Sequence, residues 1–297
     1  MFHNFKKNVN TKIFDYCVRN IRKQHKVICD RESPVVIVSQ LCNRDLYMYM
    51  AAVKTFTTFV KPHKVIIVSD GLTNNNIAIL DDFIANLTII NVDSVDTEGF
   101  PQGGTWERLL TIIDESRFHY VIQLDADTLT LRDIPEVQEC VFQNRSFTLG
   151  TFMGQKIITF KEATGLVENY SESNHVQIRA ELVMEKIDQS NQLKYVRGCS
   201  GFAGFGKGSC NKQQLKEISS KIMEVIGKEK WSEWGSEQVS SNIMVANSVS
   251  PYVLPIEKYN YFKPGIIMDN YNFLHFIGEF RFNGGVYRKL AAGLLKL

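Results

Sequence analysis

Between Pro34 and Asp93 short apolar runs alternate with longer stretches of helical spacing. PVVIVSQ, KVIIVSD and LTIINVD are dense in Val, Ile and Leu and bounded by polar or turn residues, the pattern of strands buried on both faces. Leu46 to Val60 and Ile77 to Asn86 carry helix-spaced apolar positions between them. Strand, helix, strand, helix, strand predicts a parallel sheet with crossover helices. Trp106 to Glu115 is the next predicted helix, and HYVIQLDADTLTL the next strand. Beyond residue 150 the alternation weakens. Residues 161–195 read as polar and helical, followed by the glycine-rich GCSGFAGFGKGS, helices over Asn211 to Gly227 and Ser236 to Ala246, and aromatic-rich loops. No internal repeat or Pro/Gly/Ser hinge divides the chain. The expectation is a single α/β domain over residues 31–297, with a mostly parallel sheet flanked by helices and a mixed C-terminal subregion.

Residues 1–30 read as a basic amphipathic helical segment, with Phe5, Val9, Ile13, Cys17 and Ile21 at four-residue intervals. Lys6, Lys7, Lys12, Arg19, Arg22 and Lys23 lie between them. The tail GVYRKLAAGLLKL, residues 286–297 with the glycine before them, mixes basic and apolar residues in the same way. For both ends two readings stand: a helix packed on the domain, or peripheral contact with a membrane surface.

Charge narrows the partners. The 297 residues carry 34 Lys and Arg against 32 Asp and Glu, so no global field favours a polyanion and no nucleic-acid partner is expected. The uncharged stretch from Val239 to Ile256 is broken by serines, asparagines and prolines and cannot span a bilayer as an apolar helix. The first residues lack the apolar run of a secretory signal, and the six cysteines show no metal-ligand spacing. The expected location is the cytoplasm, including the inner face of a membrane.

The chemistry concentrates at Asp125-Ala126-Asp127, which closes the apolar run Tyr120 to Leu124. Open α/β sheets place ligands at the carboxyl ends of their strands. Two carboxylates at i and i+2 on a strand face the same side and can share a hard cation, offsetting the charge of a diphosphate.

VIQLDADTLTLRDIPEV resembles the metal-binding segment of the GT-A glycosyltransferases, most closely those of glycosyltransferase family 8, the glycogenin and lipopolysaccharide galactosyl- and glucosyltransferase type. PVVIVSQLCNRDLYMYMAAVKTF is similar to that family's opening strand, donor loop and helix, with Asn43 and Arg44 near its acidic or amide positions. Asp45 stands where the family has a tyrosine against the base. TWERLLTIIDESRFHYVIQLDAD places Arg108 on a basic position that reaches the nucleotide sugar, the other reading being a surface arginine. WGSEQVSSNIM places Glu237 and Gln238 on the acid or amide pair beside the sugar's reactive carbon. Helix capping by Ser236, with Glu237 favoured by the helix dipole, is compatible with that role. LHFIGEFR resembles the family's His-x-x-Gly-x-x-Lys segment with arginine for lysine, so His275 completes the metal site while Gly278 and Arg281 meet the diphosphate.

The resemblance implies a metal-dependent hexosyltransferase of polysaccharide biosynthesis using Mn2+ or Mg2+ and a nucleoside diphosphate sugar, with UDP favoured. The acceptor would be a glycan, a lipid-linked saccharide or a protein, and the product would retain the anomeric configuration. Residues 31–150 would bind the nucleotide sugar and 151–285 the donor sugar and acceptor. Lys263 is a further cation for the leaving group, and Phe202 and Phe205 in the glycine segment either shape a sugar pocket or pack in the core. Two rival classes remain. A sugar-nucleotide nucleotidyltransferase would need a glycine- and lysine-bearing loop after the first strand, which VSQLCNRD lacks. The other is a non-catalytic glycan-binding protein on the same fold.

Overall fold

A computed structural model describes residues 2–188 and 190–297, with side chains described from Val9 onward except at Glu279. The expectations for Phe5, Lys6 and Lys7 lie outside the described side chains. In chain order the elements are α1 (Phe2–Val18), β1 (Val35–Leu41), α2 (Leu46–Phe56), β2 (Lys64–Ser69), α3 (Asn74–Phe83), β3 (Leu87–Asn91), α4 (Trp106–Ser116), β4 (Tyr120–Leu124) and β5 (Thr128–Thr130). Then come α5 (Pro135–Phe142), β6 (Phe147–Leu149), β7 (Ile158–Thr159), α6 (Phe160–Val167), α7 (Val176–Glu181), α8 (Met184–Ile187), β8 (Lys194–Tyr195) and β9 (Cys199–Phe205). The chain closes with α9 (Lys212–Ile226), α10 (Lys228–Trp231), α11 (Ser236–Ala246), β10 (Tyr252–Leu254), β11 (Tyr259–Tyr261), β12 (Phe273–His275) and α12 (Val286–Leu294). Seven strands form one mostly parallel sheet in the order β10-β6-β9-β4-β1-β2-β3.

The chain divides into two compact units. The first comprises residues 1–92, 123–138 and 257–297; the second, 93–122 and 139–256.

In the first unit β1, β2 and β3 pair in parallel, with Val36 opposite Lys64 and Val65 opposite Leu87. β1 and β2 are buried along nearly their whole length, as their unbroken apolar runs require. β3 was expected to match them and does not: all five of its residues are at least partly exposed, because it is the edge strand. The helix after β2 starts at Asn74, before the expected Ile77, because the Thr73 hydroxyl accepts from the Asn76 amide and caps it.

The expected apolar stripe of α1 is also corrected. Val9, Ile13 and Cys17 are exposed, whereas Thr11, Phe14, Val18 and the following Ile21 are buried. A strict four-residue repeat drifts around a helix by ~40° per step, while the 3-4-3 spacing from Thr11 to Ile21 stays on one face. Phe14 stacks on Tyr287 of α12 with ring centroids 4.4 Å apart, so packing on the domain describes the inner faces of both terminal helices. Among the described residues, no helix is long and apolar enough to cross a membrane.

In the second unit β10 pairs parallel to β6, and β6 pairs antiparallel to β9. Phe202 is fully buried with its ring 5.2 Å from that of Phe147, and Phe205 is fully buried too. The core reading of these phenylalanines therefore holds. Helix α11 is buried almost throughout despite its serines. Asn242 shows how: its amide donates to the Gly198 carbonyl (2.9 Å) and accepts from the Thr148 hydroxyl (3.1 Å). Of the stretch 161–195, expected to be helical, the described residues form α6, a 3-10 turn over Glu168–Tyr170, α7, α8 and β8, which pairs antiparallel with β7.

Candidate functional site

The two carboxylates expected at the end of β4 lie there in a different local form from the one expected. The strand ends at Leu124, whose carbonyl accepts from the Ser39 hydroxyl (2.6 Å), and residues 125–127 form the turn into β5. The two aspartates therefore do not share a strand face; the turn brings them together, with Thr128 Oγ1 donating to the Asp125 carbonyl (2.8 Å). β5 pairs antiparallel with β12, His275 opposite Thr128, and the Phe276 amide donates to the Asp127 carbonyl (2.7 Å). That register seats the imidazole beside the carboxylates. His275 Nε2 lies 3.0 Å from Asp127 Oδ1 and 3.6 Å from Asp125 Oδ2. One ligand atom from each of the three residues falls within 4.8 Å of the others. Two carboxylate oxygens and one imidazole nitrogen suit Mn2+ or Mg2+, so the residues present fit a hard divalent cation.

Asp127 is 6% exposed, and its carboxylate also accepts from the Arg281 guanidinium. Burial by itself would raise its pKa, but His275 and Arg281 outweigh burial and hold the carboxyl well below the usual carboxylate range. Arg281 also donates through Nε to the Phe276 carbonyl (3.0 Å), which fixes the guanidinium. Gly278 opens the short 3-10 turn leading to Arg281 with φ +58, a conformation that favours glycine.

In the loop after β1, Asn43 is bound to its own surroundings. Its amide donates to the Gly71 carbonyl (2.7 Å) and accepts from the Thr73 amide (2.8 Å) and Asn76 Nδ2 (2.9 Å). Asp45 closes a capping box at Cys42, accepting from its amide (3.3 Å) and thiol (3.1 Å), and Arg44 Nε lies 3.3 Å from Asp45 Oδ1. Lys263 is exposed over the Tyr261 ring at 4.6 Å.

The second unit gathers the remaining candidates around Glu237, which is 2% exposed. Arg108 is not the surface arginine of the alternative reading: it is 4% exposed and donates to Glu237 Oε1 (3.3 Å). Glu237 Oε2 accepts from the Thr105 and Ser200 hydroxyls, both at 3.2 Å. Helix α11 is not capped by Ser236. Its N-cap is Gly235 at φ 105, and Ser236 instead accepts from Trp106 Nε1 (2.8 Å) and donates to the Glu233 carbonyl (2.9 Å). Gln238 is partly buried; its oxygen accepts from the Ser200 amide and its nitrogen donates to Gln177 Oε1, both at 3.2 Å.

Sequence reasoning missed several residues that hold these candidates in place. Tyr287, fully buried, donates to the Ala126 carbonyl (3.3 Å) inside the aspartate turn and stacks on Phe276 at 4.4 Å. Gln177, Glu181 and Tyr195 form a buried polar group in a stretch that reads as an ordinary polar helix. No local signal distinguishes a buried glutamate from a solvated one. For Ser200 the glycine-flanked position in GCSGFAGF was the available cue.

No family model matches this sequence, and no curated protein does. Solved structures do match its fold. The apo structure of the bifunctional glycosyltransferase WbbM aligns with TM-score 0.51 at 12% identity over 89% of this chain and 50% of that one, so the chain spans half the length of WbbM. An active-site mutant of LgtC aligns with TM-score 0.54 at 11% identity over 87% of this chain and 95% of that one. The galactosyltransferase LgtC in complex with donor and acceptor sugar analogs aligns with TM-score 0.47 at 12% identity, over 87% and 95% respectively. At such identities the likeness concerns architecture: this chain has the mixed α/β fold, with a mostly parallel seven-stranded sheet, of the GT-A glycosyltransferases.

Proposed function

We propose that the protein is a metal-dependent glycosyltransferase that moves a hexose from a nucleoside diphosphate sugar, UDP-linked in the first instance, to a glycan or lipid-linked acceptor with retention. The observation that carries this reading is the convergence of Asp125, Asp127 and His275 on one potential ligand set in a chain of GT-A fold. Two carboxylates with one imidazole, paired to a fixed arginine, are what a diphosphate–cation complex calls for.

In this reading Asp125, Asp127 and His275 would hold Mn2+ or Mg2+, which when bound would supply Lewis-acid stabilisation of the leaving diphosphate. Arg281 binds the diphosphate beside it, with Gly278 allowing close backbone approach and Lys263 adding charge. The loop Asn43 to Asp45 faces the nucleoside. Arg108 belongs to the donor sugar, and Glu237 and Gln238 face its reactive carbon. The sugar's bond to the diphosphate oxygen breaks with the electron pair staying on that oxygen, a bond to the acceptor hydroxyl oxygen forms, and the acceptor proton passes to the departing nucleoside diphosphate or to solvent. The protein's own contribution is orientation and charge stabilisation. Residues 31–150 serve the nucleotide and 151–285 the donor sugar and acceptor. Lys12, Arg19, Lys289 and Lys296, exposed on the terminal helices and their ends, would bring the enzyme to an anionic membrane carrying a lipid-linked acceptor.

Thermal unfolding tests the reading. Mn2+ with a nucleoside diphosphate raises the melting temperature, and Asp127→Ala abolishes the increment. A panel of uridine, guanosine, adenosine, cytidine and thymidine diphosphates with Mn2+ that gave no shift would overturn it. Release of free diphosphate from a sugar nucleotide separates an enzyme from a non-catalytic binder.

A further inference from the structure

A continuous hydrogen-bonded chain in the second unit ends on Gln238, and it begins at a buried charge. Glu181 is 0% exposed, and three donors converge on its carboxylate. They are Tyr195 Oη (2.8 Å), Arg197 Nε (2.9 and 3.1 Å to the two oxygens) and Gln177 Nε2 (2.9 Å). Gln177 and Glu181 lie four residues apart on one face of α7. Burial and the adjacent carboxylate hold the Tyr195 phenol well above its ordinary pKa, so it remains a donor.

A carboxylate only accepts, so Gln177 must turn its NH2 group toward Glu181. Its oxygen then faces away and accepts from Gln238 Nε2 at 3.2 Å. That leaves the Gln238 carbonyl oxygen toward the Ser200 amide at 3.2 Å. The reversed Gln238 amide would set two N–H donors against each other at Ser200. A charge thus dictates the direction of one amide, and that amide acts together with the Ser200 N–H to dictate the next. A buried ion pair is weak evidence for stability, since replacing one by an apolar cluster of similar volume is often neutral or stabilising.

We propose that Glu181, held by Arg197, is a positioning residue that acts through Gln177 and, jointly with the Ser200 amide, holds the Gln238 side chain in one orientation. The consequence for catalysis rests on the glycosyl-transfer reading: a carbonyl oxygen stabilises a developing positive charge at the sugar carbon, and an NH2 group does not.

The test uses the full-length protein and two readouts. Glu181→Gln supplies an amide where the acceptor stood, so Gln177 no longer has a fixed direction. Donor turnover should fall by about tenfold or more in kcat while donor KM changes less than about twofold. Adding Gln177→Glu places a carboxylate acceptor between the two amides and should restore kcat to within about threefold of the parent. In protein labelled with 15N-glutamine, the Gln238 side-chain NH2 pair, identified by its loss in Gln238→Glu, should be single and sharp in the parent. It should broaden or double in Glu181→Gln and sharpen again in the double variant. Gln177→Met, which leaves Glu181 with Arg197 and Tyr195, provides the same break if Glu181→Gln does not fold. An unchanged Gln238 resonance in both single variants, or a double variant that recovers neither readout, overturns the proposal. If the parent turns over no sugar nucleotide the functional reading fails, and the resonance still decides the positioning role.

Discussion

Removing Arg281 should expose how closely its guanidinium and a divalent cation substitute for one another. The side chains of Arg281 and Asp127 are 18% and 8% exposed, so Arg281→Met strands a nearly buried carboxylate beside the His275 imidazole. Deleting one partner of a fully buried pair costs about 3–5 kcal/mol, and the partial exposure of Arg281 brings this to about 2–3 kcal/mol. For a chain of this length, unfolding entropy of about 2.1 cal/mol/K per residue converts each kcal/mol to roughly 1.6 °C. The variant should therefore melt ~3–5 °C below the parent in EDTA. With Asp127 as a metal ligand, as proposed, saturating Mn2+ would neutralise it from the ligand side, so the deficit should shrink to less than half, and the Mn2+-induced gain should be larger in the variant than in the parent. Scanning fluorimetry in EDTA and across an Mn2+ series measures both. An equal deficit with and without Mn2+ would refute the reasoning, because Arg281 would then be stabilising something other than the charge at the ligand set.

Other consequences follow from groups outside the ligand set. Burial, and then the nearby Asp45 charge, push the Asp15 carboxyl up from 3.8 to about 6. Its folded-state pKa is the higher one, so its contribution is full below pH 4 and is lost as pH rises through 6. Asp15→Asn should raise the melting temperature by ~1–2 °C at pH 7.5, a figure reduced for partial solvent screening, and give no gain near pH 4. Phe14→Ala should cost about 3–5 kcal/mol in urea unfolding, because a fully buried ring stacked on Tyr287 is lost. Amide exchange should show α1 losing protection before the rest of the first unit. Trp106→Phe removes the donor to Ser236 Oγ at 2.8 Å and part of a fully buried ring, and should cost about 2–3 kcal/mol in the same assay.

The elements closest to the chemistry were legible because their signals are local. The apolar runs of β1, β2 and β4 and the helical spacing of α4, α9 and α11 depend on neighbouring residues alone, and Asp125 and Asp127 announce themselves by ending such a run. Where the reading slipped, the missing information was a partner. The exposure of β3 depends on having a strand on only one side, and the inner face of α1 depends on where Tyr287 meets Phe14. Ser236 carries a cap residue's side chain, yet its hydroxyl is held by Trp106, 130 residues away.

Sequence by itself determined an α/β chain of strands and crossover helices, a pair of aspartates at a strand's end, and a histidine and an arginine at offsets that matched a known pattern. Tertiary structure decided what those residues meet. His275 reaches Asp127 across 148 residues because β5 and β12 pair antiparallel in one register. Glu181 becomes a buried acceptor, instead of a solvated charge, because Tyr195 and Arg197 arrive from a neighbouring segment. Backbone and side-chain periodicity are set within a few residues, whereas the direction of a hydrogen bond and the burial of a charge are set by whichever group the fold brings opposite.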